Sequence, residues 1–182
     1  MSKDTGLATK VILESLEQRI ENPSLGLPEE LFLFVSKVTP MINVDLFIRN
    51  DQAHTLLTWR EDNIGPPGWH IPGGIVRFKE QMADRISAVA ETELGAMVTF
   101  MHQPLAINEV IQPLRKIRGH FISLLFDCQL QKPPDEIRKH NWKAVTGTGR
   151  PCPGNWAWHA YCPEDLIPDH EMYRDFIDGV GS

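Results

Sequence analysis

A glycine corner followed at a fixed distance by an acid constrains this chain more than any other feature. Pro72-Gly73-Gly74 allows a tight turn and a close approach to a ligand, because glycine has no Cβ. From Lys79 to Leu94 there is no Gly or Pro, and apolar residues recur at helical spacing, which predicts a helix that ends at Gly95. Glu93 then lies in the last turn of a helix that returns toward the corner. A carboxylate beside bare backbone carbonyls is a place for a hard cation.

The spacing of this stretch resembles a Nudix box. Four positions are in register with the box: Gly74, Glu80, Glu93 and Gly95. Three positions depart from it, since the box has Arg at Ala88 and metal-binding acids at Val89 and Thr92. One branch of the superfamily, the GDP-mannose mannosyl hydrolases, itself lacks these two acids, and the chain is similar to that branch.

Segments outside the box carry the same resemblance. They are 39–48, which begins Thr-Pro, 56–60, which ends in Arg, and 119–126, which opens Gly-His. The resemblance implies that Asp45 and His120 are active-site residues and that Arg60 contacts a diphosphate. On residue type alone, His120 is equally a core histidine, Asp45 a paired or solvent-facing acid, and Arg60 a solvated charge at a strand end.

The resemblance also implies a cation and a base. The carbonyl of Gly73 and the carboxylate of Glu93 are the predicted ligands of Mg²⁺, or of Mn²⁺, with further oxygens supplied by a diphosphate. Glu93 facing water is the alternative. The Gln-His pair that supplies the general base in the family is absent after Phe126, where Ile137-Arg138 or Gly154-Asn155 stands instead. His140 is the nearest imidazole and the candidate base.

The function that this pattern favours is hydrolysis of a nucleoside diphosphate sugar resembling GDP-mannose. Water would attack the anomeric carbon and release the nucleoside diphosphate and the sugar. Attack at phosphorus, as in Nudix pyrophosphatases, is one alternative. A degenerate Nudix module that binds a nucleotide or a protein and catalyses nothing is the other.

Composition limits the remaining possibilities. A net charge of −6 disfavours nucleic acid, which requires an excess of Lys and Arg. Three cysteines without paired spacing indicate neither a disulfide framework nor a zinc site. The N-terminus lacks the apolar run of a signal peptide, and no stretch has the ~20 apolar residues of a membrane span. The cytoplasm is the predicted compartment.

The element pattern predicts an α/β protein, a Nudix-like α/β/α sandwich with a mixed sheet and an extra N-terminal helix. We expect a helical extension over 1–27, with an amphipathic helix from Leu7 to Ile20 that packs on the core or a second copy in a homodimer, and a hydrolase domain over 28–182. Strands are predicted over 41–49, 55–60, 97–101, 106–111 and 120–130, and a last helix over 164–177. A long loop is predicted over 132–155. Three tryptophans lie in it or just after it: Trp142, Trp156 and Trp158. Their side chains could stack on a nucleobase, but the favoured interpretation is that they anchor the loop to the core.

Overall fold

The computed structural model describes residues 2–62, 65–141 and 149–180. Within them the chain forms four α-helices, α1 (Ser2–Glu17), α2 (Glu29–Val38), α3 (Met82–Val89) and α4 (Arg174–Ile177). A π-helical turn, Ala90–Leu94, continues α3, and three short 3-10 helices lie at Pro23–Leu25, Glu136–Arg138 and Pro168–Tyr173. The same residues form eight strands: β1 (Met41–Ile48), β2 (Thr55–Arg60), β3 (Gly68–His70), β4 (Gly73–Ile75), β5 (Met97–Phe100), β6 (Ala106–Ile111), β7 (His120–Lys132) and β8 (Trp156–His159).

The strands form two sheets. In the larger one β1 pairs parallel with β7 and antiparallel with β4. Both β5 and β6 pair antiparallel with β7, β6 beside its first half and β5 beside its end. In the smaller sheet β2 pairs antiparallel with β3 and β8. Mixed pairing together with helices confirms the predicted α/β class.

Alternate residues of β1 enter two different cores, because successive side chains of a strand point to opposite faces. Val44 and Leu46 are buried with Ile86 of α3. Phe47 faces the other way and is buried with Ile177 of α4. Helices therefore cover both faces, which is the layered arrangement that the sequence predicts.

The predicted strands agree with the structure to within two residues at each end, whereas several short elements escape the sequence pattern. These are α2, β3, β4 and β8, of which three strands have only three or four residues. The predicted C-terminal helix is shorter than expected: Pro168 begins a 3-10 helix, and α4 adds a single turn. In the predicted helix over 164–177 Pro168 would be an interior residue, and proline lacks the N–H that a helix interior needs, so the helical structure begins at Pro168 instead.

The N-terminal helix is predicted over 7–20 and observed over Ser2–Glu17. Its apolar residues Leu7, Val11 and Ile12 are exposed. The homodimer and the division at residue 27 stay predictions. No helix in the described part of the chain has the length and apolarity needed to cross a membrane.

Candidate active-site cleft

A cleft of about 300 Å³ opens beside the glycine corner. Side chains from β1, β2 and β3, from the π-helical turn, from the β6–β7 loop and from the C-terminal 3-10 helix line it. Residues of β4, β6 and β7 contribute as well, so elements that are distant in sequence meet at one place.

The corner requires glycine because the chain packs closely on both sides of it. A Cβ on Gly73 would collide with Asp45 Oδ1 and lie 3.0 Å from the carbonyl oxygen of Val44. A Cβ on Gly74 would lie 2.7 Å from Val89 Cγ2. The corner is thus seated against β1 and α3, which brings the end of α3 next to it.

Glu93 returns to the corner, as the spacing predicts. Its Oε1 accepts a hydrogen bond from the Gly73 amide at 3.3 Å, and its Oε2 accepts one from Thr58 Oγ1 at 3.1 Å. The side chain keeps 26% of its surface exposed and lines the cleft. A π-helical turn often marks a functional site, because it changes the direction of the residues it carries.

The 3-10 helix Glu136–Arg138 supports this turn from outside. Arg138 NH1 donates to the carbonyl oxygens of Thr92 at 2.8 Å and Glu93 at 3.1 Å. The amide of Asp135 donates to the carbonyl of Leu94 at 2.7 Å. The last carbonyls of a helix lack partners within it, so these donors stabilise the helix end and the backbone of Glu93.

The donor set fits a divalent cation only in part. In the part of the chain that the structure describes, no three His, Cys, Asp or Glu side chains are grouped to hold a metal. Glu93 supplies one carboxylate, which accepts a hydrogen bond from the Gly73 amide, and the Gly73 carbonyl as a second ligand stays a prediction. Mg²⁺ is commonly held by one or two carboxylates plus substrate phosphates, so a bound diphosphate would have to complete the coordination sphere.

His70, which the sequence pattern does not single out, lies beside Glu93. Its Nε2 is 3.6 Å from Glu93 Oε2 and 3.2 Å from Thr58 Oγ1. Its side chain is 14% exposed and lines the cleft. The antiparallel pairing of β3 with β2 places His70 opposite Thr58. No sequence signal indicates this position, because a strand of three residues shows no period.

Asp45 is fully buried and also lines the cleft. Tyr173 OH donates to its Oδ2 at 2.6 Å, and Asn43 Nδ2 donates to its Oδ1 at 2.5 Å. Burial raises the pKa of Asp45 to about 7, although the hydrogen bond from Tyr173 and the nearby His70 act against this rise. Asp45 is thus the paired acid of the sequence analysis, and it is placed to gain or lose a proton near neutrality.

His170 completes this side of the cleft. Its Nδ1 accepts a hydrogen bond from the Ile71 amide at 3.1 Å, and its ring centroid lies 5.8 Å from that of His70. Burial, followed by the charges of His70 and Arg60, lowers the pKa of His170 well below its usual value. The ring is therefore neutral at neutral pH.

Three arginines line the same cleft. Arg60, the predicted phosphate ligand, donates from Nε to Asp62 Oδ2 at 2.7 Å. Arg115 donates to Asp169 Oδ2 at 2.5 Å. Arg118 is the third. Neither Arg115 nor Arg118 was indicated by the sequence pattern, because the β6–β7 loop that carries them has no motif.

The other two predicted catalytic residues lie elsewhere. His120 does not line the cleft; its Nε2 lies 3.2 Å from Oε1 of the exposed Glu109. His140 does not line it either, and its ring lies 6.1 Å from that of Trp69. Burial lowers the pKa of His140, and a hydrogen bond between His140 and Asn155 acts in the other direction.

Glu80, one of the four residues in register with the box, is paired with Arg85. Arg85 donates to Glu80 Oε1 at 2.7 Å and Oε2 at 2.9 Å, one helical turn before Ala88. Burial opposes ionisation of Glu80, but the hydrogen bonds from Arg85 and the Arg77 amide outweigh it and lower the pKa. Glu80 is thus paired with an arginine that lies three residues before Ala88.

The tryptophans that the structure describes serve the core. Trp156 is buried in β8 and donates from Nε1 to the carbonyl of Asp135 at 2.8 Å, and Trp158 packs against the same core. This agrees with the anchoring interpretation. Trp142 lies outside the described residues.

Comparisons with known proteins agree with this architecture. No family model matches the chain. The low-salt glycan biosynthesis protein Agl8 of Haloferax volcanii is 33% identical over 114 residues, which are 60% of this chain and 72% of that protein.

Solved structures resemble the fold at low identity. A MutT Nudix hydrolase from Burkholderia pseudomallei matches with a TM-score of 0.56 and 18% identity over 75% of this chain and 97% of that one. A possible asymmetric diadenosine tetraphosphate hydrolase from Jonesia denitrificans matches with a TM-score of 0.55 and 18% identity, over 74% of this chain and 90% of that one. A UDP-X diphosphatase matches with a TM-score of 0.53 and 16% identity, over 99% of this chain and 82% of that one.

The layered fold, with its cleft at the glycine corner, is thus the fold of the Nudix hydrolases. The identity with Agl8 extends across most of that protein, and this chain belongs to the same family as Agl8.

Proposed function

We propose that this chain hydrolyses a nucleoside diphosphate sugar and releases the nucleoside diphosphate and the free sugar. The observation that carries the proposal is the meeting, in one cleft, of Glu93, Asp45 and His70 with three arginines. The first three are groups that accept protons or bind cations, and guanidinium groups are suited to phosphate oxygens.

The size of the cleft is consistent with a ligand whose central diphosphate is bound inside while both ends lie outside. Cavities for whole small molecules measure about 300–1,000 Å³, and this one is at the lower limit. It has room for a diphosphate and the atoms next to it, while the rest of a nucleotide sugar would extend beyond it. The names of two similar proteins are consistent with this class: Agl8 is a glycan biosynthesis protein, and one structural neighbour is a UDP-X diphosphatase.

In the proposed reaction a water oxygen attacks the anomeric carbon, and the bond from that carbon to the phosphate oxygen breaks. His70, held beside Glu93 and Thr58, accepts the proton of the water. Arg60 stabilises the charge that develops on the departing diphosphate. Mg²⁺ or Mn²⁺, bound by Glu93 and the diphosphate, would neutralise further charge on this leaving group.

The base in this proposal differs from the one that the sequence predicts. His140 and His120 do not line the cleft, whereas His70 does. His70 therefore takes the role first assigned to His140, and Asp45 stays a candidate proton carrier.

Turnover in water enriched in heavy oxygen tests the proposal. The protein is supplied with Mg²⁺ and a panel of nucleoside diphosphate sugars, and we expect the label in the released sugar. Label in a phosphate product would instead establish attack at phosphorus, with a nucleoside monophosphate and a sugar phosphate as products. Binding of the panel without any turnover would favour the non-catalytic module.

A further inference from the structure

Arg118 differs from the other two arginines of the cleft in what surrounds its guanidinium. Arg60 and Arg115 each donate to a carboxylate, those of Asp62 and Asp169. Arg118 Nε is buried and has no hydrogen-bond partner among the described residues. Leaving a donor without a partner is unfavourable, so a guanidinium in this state is suited to a ligand that supplies acceptors.

The backbone of Arg118 is held in place for this position. Its φ is 50°, in the left-handed region that a residue with a side chain seldom adopts. Its amide donates at 3.2 Å to Oγ of Ser36, a buried residue of α2. The next residue is Gly119, where a Cβ would lie 2.8 Å from the carbonyl oxygen of Arg115.

The side chain is supported from the same helix. The guanidinium carbon lies 5.9 Å from the ring centroid of Phe32 in α2, a distance at which a cation is attracted to an aromatic face. Helix α2 thus contacts Arg118 at both its backbone and its side chain. A strained backbone persists only where its surroundings determine it, and α2 provides those surroundings.

A second cation, Arg60, lines the same cleft as Arg118. Burial lowers the pKa of the Arg118 guanidinium, and the charge of Arg60 lowers it further, while the carboxylates of Asp62 and Asp169 act in the other direction. Because both guanidinium groups line one cleft, an anion that enters it is attracted by both of them. Phosphate oxygens are the acceptors that match the fork of donors on arginine.

We infer that Arg118 and Arg60, which both line the cleft, together form a phosphate-binding subsite, in which the guanidinium of Arg118 donates to an oxygen of the diphosphate. The inference rests on the proposed function and extends it, because it assigns recognition of the diphosphate to a residue that no motif indicates. It also predicts that the diphosphate binds without a metal.

Calorimetric titration with inorganic pyrophosphate in the presence of EDTA tests the inference. We expect the wild-type protein to bind, and Arg118→Gln to bind at least about tenfold more weakly, because a charge-assisted hydrogen bond is lost. Arg49→Gln is the matched control: Arg49 also lies on an aromatic ring, 5.0 Å from the Phe47 centroid, but does not line the cleft. Absence of pyrophosphate binding by the wild type, or equal affinity in Arg118→Gln, would overturn the inference.

A second measurement does not depend on the Gln variant folding. The Nε–H resonance of Arg118 in the wild-type protein, assigned by its disappearance in Arg118→Lys, should move when pyrophosphate is added, while that of Arg49 should not. An Arg118 resonance that does not move at saturating pyrophosphate contradicts the inference. Pyrophosphate binding that depends on Arg118 without turnover of any nucleotide sugar would overturn the proposed function alone.

Discussion

Two pairs of histidines in this molecule have similar burial and different surroundings. His70 and His170 line the cleft, whereas His140 and His159 pack near the indole of Trp69, with His159 4.6 Å from it. Burial lowers the pKa in both pairs, for His170 and for His159. A buried histidine with a low pKa therefore does not by itself identify an active site. His70 differs because its neighbours are a carboxylate and a cavity.

The largest expected effect is at the carboxylate that distinguishes the first pair. Glu93→Gln should lower turnover of a nucleoside diphosphate sugar at limiting Mg²⁺ by about 100-fold or more, because the negative charge of the proposed cation ligand, which also lies beside His70, is lost. Steady-state kinetics measures this. Glu91→Gln, in the same π-helical turn but exposed, should stay near the wild-type rate. Wild-type turnover in Glu93→Gln would remove the metal role from this residue.

Substituting one histidine from each pair tests which of the two acts as the base. His70→Gln should lower kcat by about 100-fold, the lower range for loss of a general base, while His140→Gln should change it little. The pH profile of each variant should be measured as well, since loss of the base removes one limb. The reverse result, with His140→Gln inactive and His70→Gln active, would restore the base that the sequence predicts and contradict the one proposed from the cleft.

Asp45 predicts a pH dependence of stability. In the folded protein Asp45 keeps its proton up to a pKa of about 7, while in the unfolded chain it releases the proton near its ordinary pKa of 3.8. Stability from this residue is therefore lost as the pH rises through that window, by about 2 kcal/mol between pH 5 and 7. Urea unfolding of wild type and Asp45→Asn should show this fall only in the wild type. Asp51→Asn, at an exposed turn, should behave as the wild type does, and a parallel fall in Asp45→Asn would contradict the assignment.

His159 should show a smaller effect of the opposite sign. Burial, followed by the charge of His140, lowers its pKa to about 4 from 6.5, so the unfolded chain binds a proton first as the pH falls. Between pH 7.5 and 6 the wild type should lose about 1 kcal/mol of stability that His159→Gln does not lose. Thermal unfolding at the two pH values compares them, and equal losses would show that His159 is charged in the fold.

The sequence could predict those features whose geometry is local. The glycine corner and the length of the following helix place Glu93 beside Gly73, and strand periodicity gives β2 and β6. The sequence could not predict contacts between distant segments. His170 reaches the Ile71 amide across 99 positions, and Tyr173 reaches Asp45 across 128. Such contacts depend on how the layers stack, which no short-range period encodes.

The distinction between His70 and His140 is of this second kind. A motif places the base at a position along the chain, and His140 is the imidazole nearest to that position. The residues of the cleft are instead defined by their distances in space. Strand β3, which lies just before the glycine corner, places His70 beside Glu93. Very short strands carry too few residues to show a period, so the element that positions the histidine is invisible in the pattern.

The hydrogen bonds from Arg138 to the carbonyls of Thr92 and Glu93 bear on how the protein can be shortened or redesigned. A loop rich in proline that follows the last strand of the larger sheet would ordinarily be the first segment removed from an expression clone. Here the beginning of that loop holds the end of the helix that carries the cleft carboxylate. Trimming should therefore spare residues 135–138, and an inactive deletion that removes them would be evidence about Glu93 rather than about the loop.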